Sequence, residues 1–161
     1  MIGENEIQQI FGNEVHLEPE ILSAVLRFTL AFSYAEHKIM GEFAETKKCG
    51  AYATLCSTIG INQLSKDIDY FRCRYTQNSG HEMKLDDLCN GDSHSKSQII
   101  KSLSDKNPSS AELIESMFRI CLRLRHNLFH GRKWSYMLAH QVDNLNHATA
   151  FLIKALRATG N

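Results

Sequence analysis

A short stretch near the C-terminus, CLRLRHNLFHGRKW at residues 121–134, concentrates the side chains that could do chemistry. Arg125, His126 and His130 follow an otherwise apolar run and lie within one hexapeptide. Arginine binds phosphate oxygens through paired hydrogen bonds, and histidine moves protons near neutral pH. These residue types in this spacing therefore point to chemistry on a phosphate group.

The same helix places several cationic side chains on one side. At about 100° per residue, a stripe about 60° wide holds four of them: Arg119, Arg123, His126 and His130. Two interpretations stay open, a ridge that binds phosphate or an ordinary solvated face, since helices commonly carry arginine on the outside. His130 also lies beside the expected C-terminal end of the helix, where the carbonyl dipoles favour a protonated ring that could act as acid or base.

A metal site is the weaker interpretation of the same residues. His126 and His130 have the i, i+4 spacing of two ligands on one helical turn. A third ligand would have to be His140, His147 or Glu36, and the neighbouring arginines would repel a cation. The five cysteines match no zinc spacing and are expected to be buried as small hydrophobic residues. We therefore expect neither a metal nor another cofactor.

The elements that must position these residues are helical. Pro19 suits the first turn of a helix over residues 19 to about 47, whose apolar residues recur every three or four positions. This stretch carries almost no charge until Glu36. Glu36 is therefore either a carboxylate that orients His or Arg of a later helix, or the point where the helix reaches solvent.

Two further segments precede the helix that carries Arg125. Residues 49–77 are expected to be helical, with a break near Gly60 and Asn62. Residues 78–110 turn polar, and we interpret them as a surface excursion between helices that contains one short helix at residues 98–103. They are not predicted to form a second domain.

The third helix should begin at a capping box, because Ser109 and Glu112 have the required spacing. It should end at Gly131, a residue suited to the left-handed C-terminal position. Its apolar core row has helical spacing: Leu113, Met117, Cys121, Leu124 and Leu128. A fourth helix over residues 134–157 carries a narrow apolar seam that needs a partner helix.

These patterns predict an all-α fold, an antiparallel bundle of four or five helices in one domain spanning residues 1–161, with an acidic leader at residues 1–18. Eighteen Lys and Arg balance eighteen Asp and Glu, so a polyanion would have to bind a local patch. No stretch is long and apolar enough to span a bilayer. An odd number of cysteines without a CxxC pair, and no secretory signal, favour a cytoplasmic location.

The hexapeptide RHNLFH at residues 125–130 resembles the R-polar-xxx-H signature of the HEPN superfamily of small all-helical domains. The setting is similar too, because the motif falls late in a helix near the C-terminus, a glycine follows it, and a last long helix comes next. With the order of helices, the resemblance covers residues 19–157. The polar segment 78–110 departs from a minimal family member.

The resemblance implies a metal-independent endoribonuclease, a homodimer whose two motifs meet at the interface. Such domains occur in toxin–antitoxin and other defence systems, where an antitoxin protein is a partner. It gives Arg125 and His130 the catalytic places and His126 the polar second position. RNA supplies its own 2′-hydroxyl nucleophile, so His130 would move protons and Arg125 would stabilise the charged phosphate. Three more residues are expected to support the site or bind substrate: Arg119, Arg123 and Glu36.

On an ideal helix Arg125 lies about 140° from His130, so the long side chain of arginine, a distorted last turn or a partner subunit must bring them together. A two-fold dimer that pairs the third helices would do so, with Ile114, Phe118 and Phe129 as candidates for the dimer face or for internal packing. Two alternatives to a ribonuclease remain. One is a HEPN-like module that binds RNA, a nucleotide or a protein without cleavage, and the other is a helical bundle with an accidental motif.

Overall fold

The computed structural model describes residues 18–129 and 140–160, together with positions 9 and 138. All regular structure within them is helical, as the sequence predicts. Seven α-helices follow one another in this part of the chain: α1 (Pro19–Lys38), α2 (Cys49–Leu55), α3 (Ile61–Arg72), α4 (His81–Cys89), α5 (Ser93–Ser104), α6 (Ser110–Phe129) and α7 (Val142–Ala158). A 3₁₀ turn, Thr46–Lys48, leads into α2, and a π-helical turn, Cys73–Gln77, extends α3.

Helix α1 begins at Pro19 as predicted but ends at Lys38, well before residue 47. Gly41 and Glu42 both adopt the left-handed backbone conformation, each with φ of 69°. The N–H of Glu42 donates to the carbonyl of Glu36 at 3.1 Å and so closes the end of the helix. The chain turns back at this point, and residues 44–47 come to lie beside the end of α1.

The polar segment 78–110 differs from the prediction of a surface excursion with one short helix. It forms two helices, α4 and α5, and both pack on α6. Leu85, Leu88, Ile99 and Leu103 are buried. A few apolar residues spread among many polar ones suffice here, because each helix needs to cover only one side of α6. This is also why the structure has more helices than the four or five expected.

Helix α6 is central and contacts each of the other six helices. The predicted capping box is present: the Ser109 hydroxyl accepts from the Glu112 N–H at 3.2 Å, and the Glu112 carboxylate accepts from the Ser109 N–H at 3.0 Å. The whole predicted core row is buried. The predicted end of the helix at Gly131 lies outside the described residues.

Helix α7 packs along α1 in the most extensive helix pair of the structure. It begins at Val142, whereas the predicted helix begins at residue 134; residues 134–137 and 139 lie outside the described part of the chain. The apolar seam predicted over residues 134–157 includes Leu145, Leu152 and Leu156, and these three leucines are buried. Within the described ranges, no helix is both long and apolar enough to cross a membrane.

Candidate functional site

Arg125 lies in the last two turns of α6, and its side chain is 46% exposed. Glu36 of α1 lies beside it, with 3.7 Å between Glu36 Oε2 and Arg125 Nη2. The rings of Phe32 and Phe129 have their centroids 5.5 Å and 5.9 Å from the guanidinium carbon, within cation–π range. Residues of two helices therefore hold the guanidinium while part of it faces solvent.

Glu36 is itself fixed by the turn that follows α1. Its Oε1 accepts a hydrogen bond from the backbone N–H of Ala44 at 3.1 Å. Its side chain is only 19% exposed, so it does not simply reach solvent. Of the two interpretations made from the sequence, this geometry is that of a carboxylate that orients an arginine of a later helix.

A cleft of about 350 Å³ opens beside Arg125. Residues 44–47 and Phe32 form one part of its lining. Helix α6 supplies the rest: Leu122, Arg123, Arg125 and His126. Lys47 is exposed at the rim, where Glu45 pairs with it at 2.7 Å and also with Lys48. The lining carries more positive than negative charge, so the cleft suits an anion.

Two arginines of the predicted cationic stripe are buried. Arg119 is 4% and Arg123 is 8% exposed. Arg119 donates from Nε and Nη2 to one oxygen of Glu115 at 3.2 Å and 2.6 Å. Arg123 donates from Nε to the carbonyl of Leu88 at 3.3 Å. At these positions the stripe is neither an open ridge nor a solvated face: Arg123 lines the cleft, and Arg119 lies in the core.

Asp92, at the start of α5, balances the buried charge of Arg123. Its carboxylate accepts from the N–H and the hydroxyl of Ser95 at 2.9 Å and 2.7 Å, and it lies 3.8 Å from Arg123 Nη1. Partial burial raises the pKa of Asp92, but the hydrogen bonds from Ser95 and the charge of Arg123 outweigh it and hold the pKa below its usual value. Asp92 therefore stays ionised near neutral pH and offsets the charge of Arg123, as Glu36 does for Arg125, whereas Lys47 and Lys48 share the one carboxylate of Glu45.

Of the two histidines of the motif, the structure describes only His126. His126 is half-buried and lines the cleft next to Arg125. His130 lies outside the described residues, so its position relative to Arg125 stays a prediction. The structure thus brings together the first two residues of the motif, with Glu36 and Arg123, around one cleft.

The described residues also bear on the third metal ligand. Within residues 18–129 and 140–160, no three His, Cys, Asp or Glu side chains come together as a metal site. Two of the candidate third ligands have other partners: Glu36 contacts Arg125, and His147 contacts Asp67. These contacts give Glu36 an electrostatic role beside an arginine.

Two of the three residues considered for a dimer face pack internally. Ile114 is 1% and Phe118 is 0% exposed. The ring of Phe118 makes edge-to-face contacts with Tyr52 and Phe151, at centroid distances of 5.7 Å and 4.9 Å. Phe129 alone of the three is exposed, at 59%. The internal-packing alternative therefore holds for Ile114 and Phe118.

Sequence reasoning missed a buried ion cluster between α3 and α7. Asp67 is 2% exposed; its Oδ1 is 2.7 Å from His147 Nδ1, and its Oδ2 accepts from Lys154 Nζ at 2.6 Å. The Tyr70 ring stacks on that of His147 at 4.1 Å. The signal in the sequence is Asp67 itself, a carboxylate that lies at helical spacing among the apolar residues Leu64, Ile68 and Phe71. None of these residues lines the cleft, so the cluster joins two helices and lies apart from the candidate site.

In comparisons with known proteins, no family model, no curated protein and no solved structure matches the chain. The HEPN resemblance accordingly depends on the motif at residues 125–130 and on its place in an all-helical chain. The function has to be argued from the cleft and from the residues that the motif brings to it.

Proposed function

We propose that the protein is a metal-independent endoribonuclease of the HEPN type. The observation that carries this proposal is the presentation of Arg125. Its guanidinium is held by Glu36 and two aromatic rings, yet 46% of its side chain stays exposed at a cleft that His126 also lines. An arginine with a purely structural role would be paired and covered, as Arg119 is. A fixed, accessible guanidinium instead suits bidentate binding of a phosphodiester.

The exposed aromatic residues near the cleft favour single-stranded RNA. Phe129, in contact with Arg125, is 59% exposed, and Phe43, next to Ala44 of the cleft wall, is 74% exposed. Unpaired nucleobases stack on such rings, and the stacking is worth about 1–3 kcal/mol per base. A balanced net charge also suits a short unpaired segment better than a long duplex.

The reaction follows from the chemistry of RNA. The 2′-oxygen attacks the adjacent phosphorus as a base accepts its proton, the bond from phosphorus to the 5′-oxygen breaks, and an acid protonates that oxygen. The products are a 2′,3′-cyclic phosphate and a 5′-hydroxyl. In the proposal, Arg125 stabilises the charge that develops on the phosphate, and His130 moves the protons. His126 and Arg123 support substrate binding from the cleft lining.

The proposal includes a homodimer and a biological role. A second copy would bring Arg125 of one motif near His130 of the other, which resolves the separation of about 140° on an ideal helix. Because Ile114 and Phe118 are internal, such a contact would use surface near Phe129. A toxin or defence ribonuclease of this type arrests growth when expressed, and an antitoxin protein would be its natural partner.

The test is incubation of purified protein with total cellular RNA in excess EDTA, followed by analysis of the fragment ends. Wild-type protein should leave cyclic phosphate and 5′-hydroxyl ends. Arg125→Ala and His130→Ala should each lose cleavage while keeping the wild-type thermal midpoint. Arg157→Ala, which removes an exposed arginine from α7, is the matched control and should cleave normally. Cleavage that persists in both motif variants would refute the assignment.

The second candidate is a module that binds RNA or a nucleotide without cleaving it. The observation that favours it is the carboxylate of Glu36 beside Arg125, which offsets part of the charge available for a transition state. In this case neither wild type nor His130→Ala would cleave. Wild-type protein would still retain RNA on a filter, and Arg125→Ala would release it.

A further inference from the structure

A second concavity lies on the other side of α6. The cleft is lined by residues 122, 123, 125 and 126, whereas this pocket is lined by residues 124, 127 and 128. At about 100° per residue these two sets occupy roughly opposite faces of the helix. The pocket has a volume of about 70 Å³, an apolar floor that includes Leu88, Leu124 and Leu145, and a rim that carries Arg74 and Lys84. It is therefore a separate site.

Arg74 has a hydrogen-bonding group without an acceptor. Its Nε is buried and has no hydrogen-bond partner among the residues that the structure describes. Its Nη2 donates to the carbonyl of His140 at 3.4 Å, near the limit for such a bond, and the guanidinium lies 5.9 Å from the ring centroid of Tyr75. A buried charged donor without an acceptor is unfavourable. Nη1 of Arg119 has the same shortage but lies in the core, whereas Arg74 lines a pocket that an anion can enter.

The backbone at Arg74 is also typical of a binding site. Arg74 and Tyr75 lie in the π-helical turn Cys73–Gln77, and both line the pocket. Such turns are rare, and they occur frequently at functional sites. Here the turn places an arginine at the rim of the pocket and a tyrosine ring in its wall.

We propose that this pocket binds a short-chain monocarboxylate. The carboxylate pairs with the guanidinium of Arg74, with Lys84 close by, and the alkyl chain lies on the leucines of the floor. Arg74 and Lys84 against Asp87 leave one net positive charge in the lining, which one carboxylate balances and a phosphate dianion would exceed. The small volume limits the body of the ligand to roughly two to four carbons.

The experiment is an NMR titration of the full-length, methyl-labelled protein with butyrate. Butan-1-ol carries the same chain without the charge, and inorganic phosphate carries charge without the chain. Butyrate should give saturable shifts at the methyls of Leu88, Leu124 and Leu145, with a dissociation constant on the order of 1 mM. Arg74→Gln should weaken binding about tenfold or more, because it removes a charge-assisted hydrogen bond. Butan-1-ol and phosphate should bind more weakly than butyrate.

Two variants keep the result interpretable. Arg157→Gln removes an exposed arginine remote from the pocket lining and should bind butyrate as wild type does. If Arg74→Gln fails to fold, Lys84→Gln at the rim should still weaken binding several-fold. Equal shifts with butan-1-ol, wild-type affinity in the folded charge variants, or shifts confined to the cleft methyls would overturn the proposal. Because no step involves RNA, its failure would leave the ribonuclease assignment untouched.

Discussion

Arg125 is positioned by side chains from two helices, and Glu36 is the one that carries charge. The carboxylate is held by the Ala44 N–H through Oε1 and faces Arg125 through Oε2. Glu36 therefore acts as a positioning residue: it restricts the guanidinium and at the same time offsets part of its charge. These two effects oppose each other in phosphate binding, and substitution separates them.

If the protein is the proposed ribonuclease, Glu36→Ala should lower the single-turnover rate of RNA cleavage by up to about a hundredfold, because misplacement of a catalytic group by about 1 Å has that cost. Glu36→Gln can keep the hydrogen bond from Ala44, but its NH2 group then faces the guanidinium of Arg125, donor against donor, so this variant should recover little of the rate. RNA affinity should rise slightly in both variants, since the positive charge of Arg125 is less compensated. Glu20→Ala, an exposed change at the other end of α1, is the control. A fully active Glu36→Ala would exclude the positioning role.

Asp67 permits a comparison that does not depend on function. Asp67→Ala removes the buried carboxylate between His147 and Lys154, and we expect it to lower the free energy of unfolding by about 3 kcal/mol, since Lys154 loses its partner. Lys154 is 31% exposed, which keeps the cost at the low end for such pairs. Asp69→Ala breaks an exposed pair with Arg72 on the same helix and should cost less than about 1 kcal/mol. Urea unfolding measures both, and equal losses would contradict the assigned burial.

At the scale of the helices, the sequence predicts an element correctly where a few neighbouring residues determine its boundary. Pro19 and the Ser109–Glu112 capping box define two helix starts correctly, because each depends on neighbouring residues alone. The apolar spacing of α1 continues to Ile39 and contains no sign of its end, so the sequence predicts a helix to about residue 47. The structure ends the helix at Lys38, where Gly41 and Glu42 turn the chain. Burial of Arg119 and Arg123 depends on α2, α4 and α5 covering α6, and helical spacing alone cannot show that.

The candidate site, too, could be predicted only in part, because tertiary contacts do not show in helical spacing. The motif gave Arg125 and His126, and the apolar stretch gave Glu36 as one of two possibilities. The ring contact of Phe32 with Arg125 follows from the packing of α1 on α6. Lys47 of the cleft wall follows from the turn at Gly41, which brings residues 44–47 back against α1. A tertiary turn of this kind leaves no periodic signal in the sequence.

The capping box of α6 can be tested directly. Ser109→Ala removes the acceptor for the Glu112 N–H and the partner of the Glu112 carboxylate, and should lower the free energy of unfolding by about 1 kcal/mol. Ser110→Ala, one residue later in the first turn, is the matched control and should change stability by less than about 0.5 kcal/mol. Chemical denaturation resolves this difference. The opposite ranking of the two variants would show that α6 is capped elsewhere.

On the scale of the whole molecule, buried thiols connect the core to pH. Of the cysteines, Cys73 is exposed and the other four are buried and free. Burial raises the pKa of Cys49 to about 12, and that of Cys56 and of Cys89 to about 11. Burial also raises the pKa of Cys121. All four thiols therefore stay protonated in the folded protein well above the pH at which an unfolded chain releases their protons.

Stability should consequently fall in alkaline solution. Below a pH of about 9 the Cys49 thiol is protonated in both the folded and the unfolded chain, and its contribution to the free energy of unfolding is fully present. Between about pH 9 and 12 only the unfolded chain releases this proton, so that contribution is lost as the pH rises. The slope for one thiol approaches about 1.4 kcal/mol per pH unit. Urea unfolding at about pH 8 and about pH 10 should show a smaller decrease for Cys49→Ala than for wild type, whatever the offset from lost packing. Cys73→Ala, at the exposed cysteine, is the control and should show the same decrease as wild type. A parallel loss in all three proteins would mean that the Cys49 thiol does not contribute to the fall in stability.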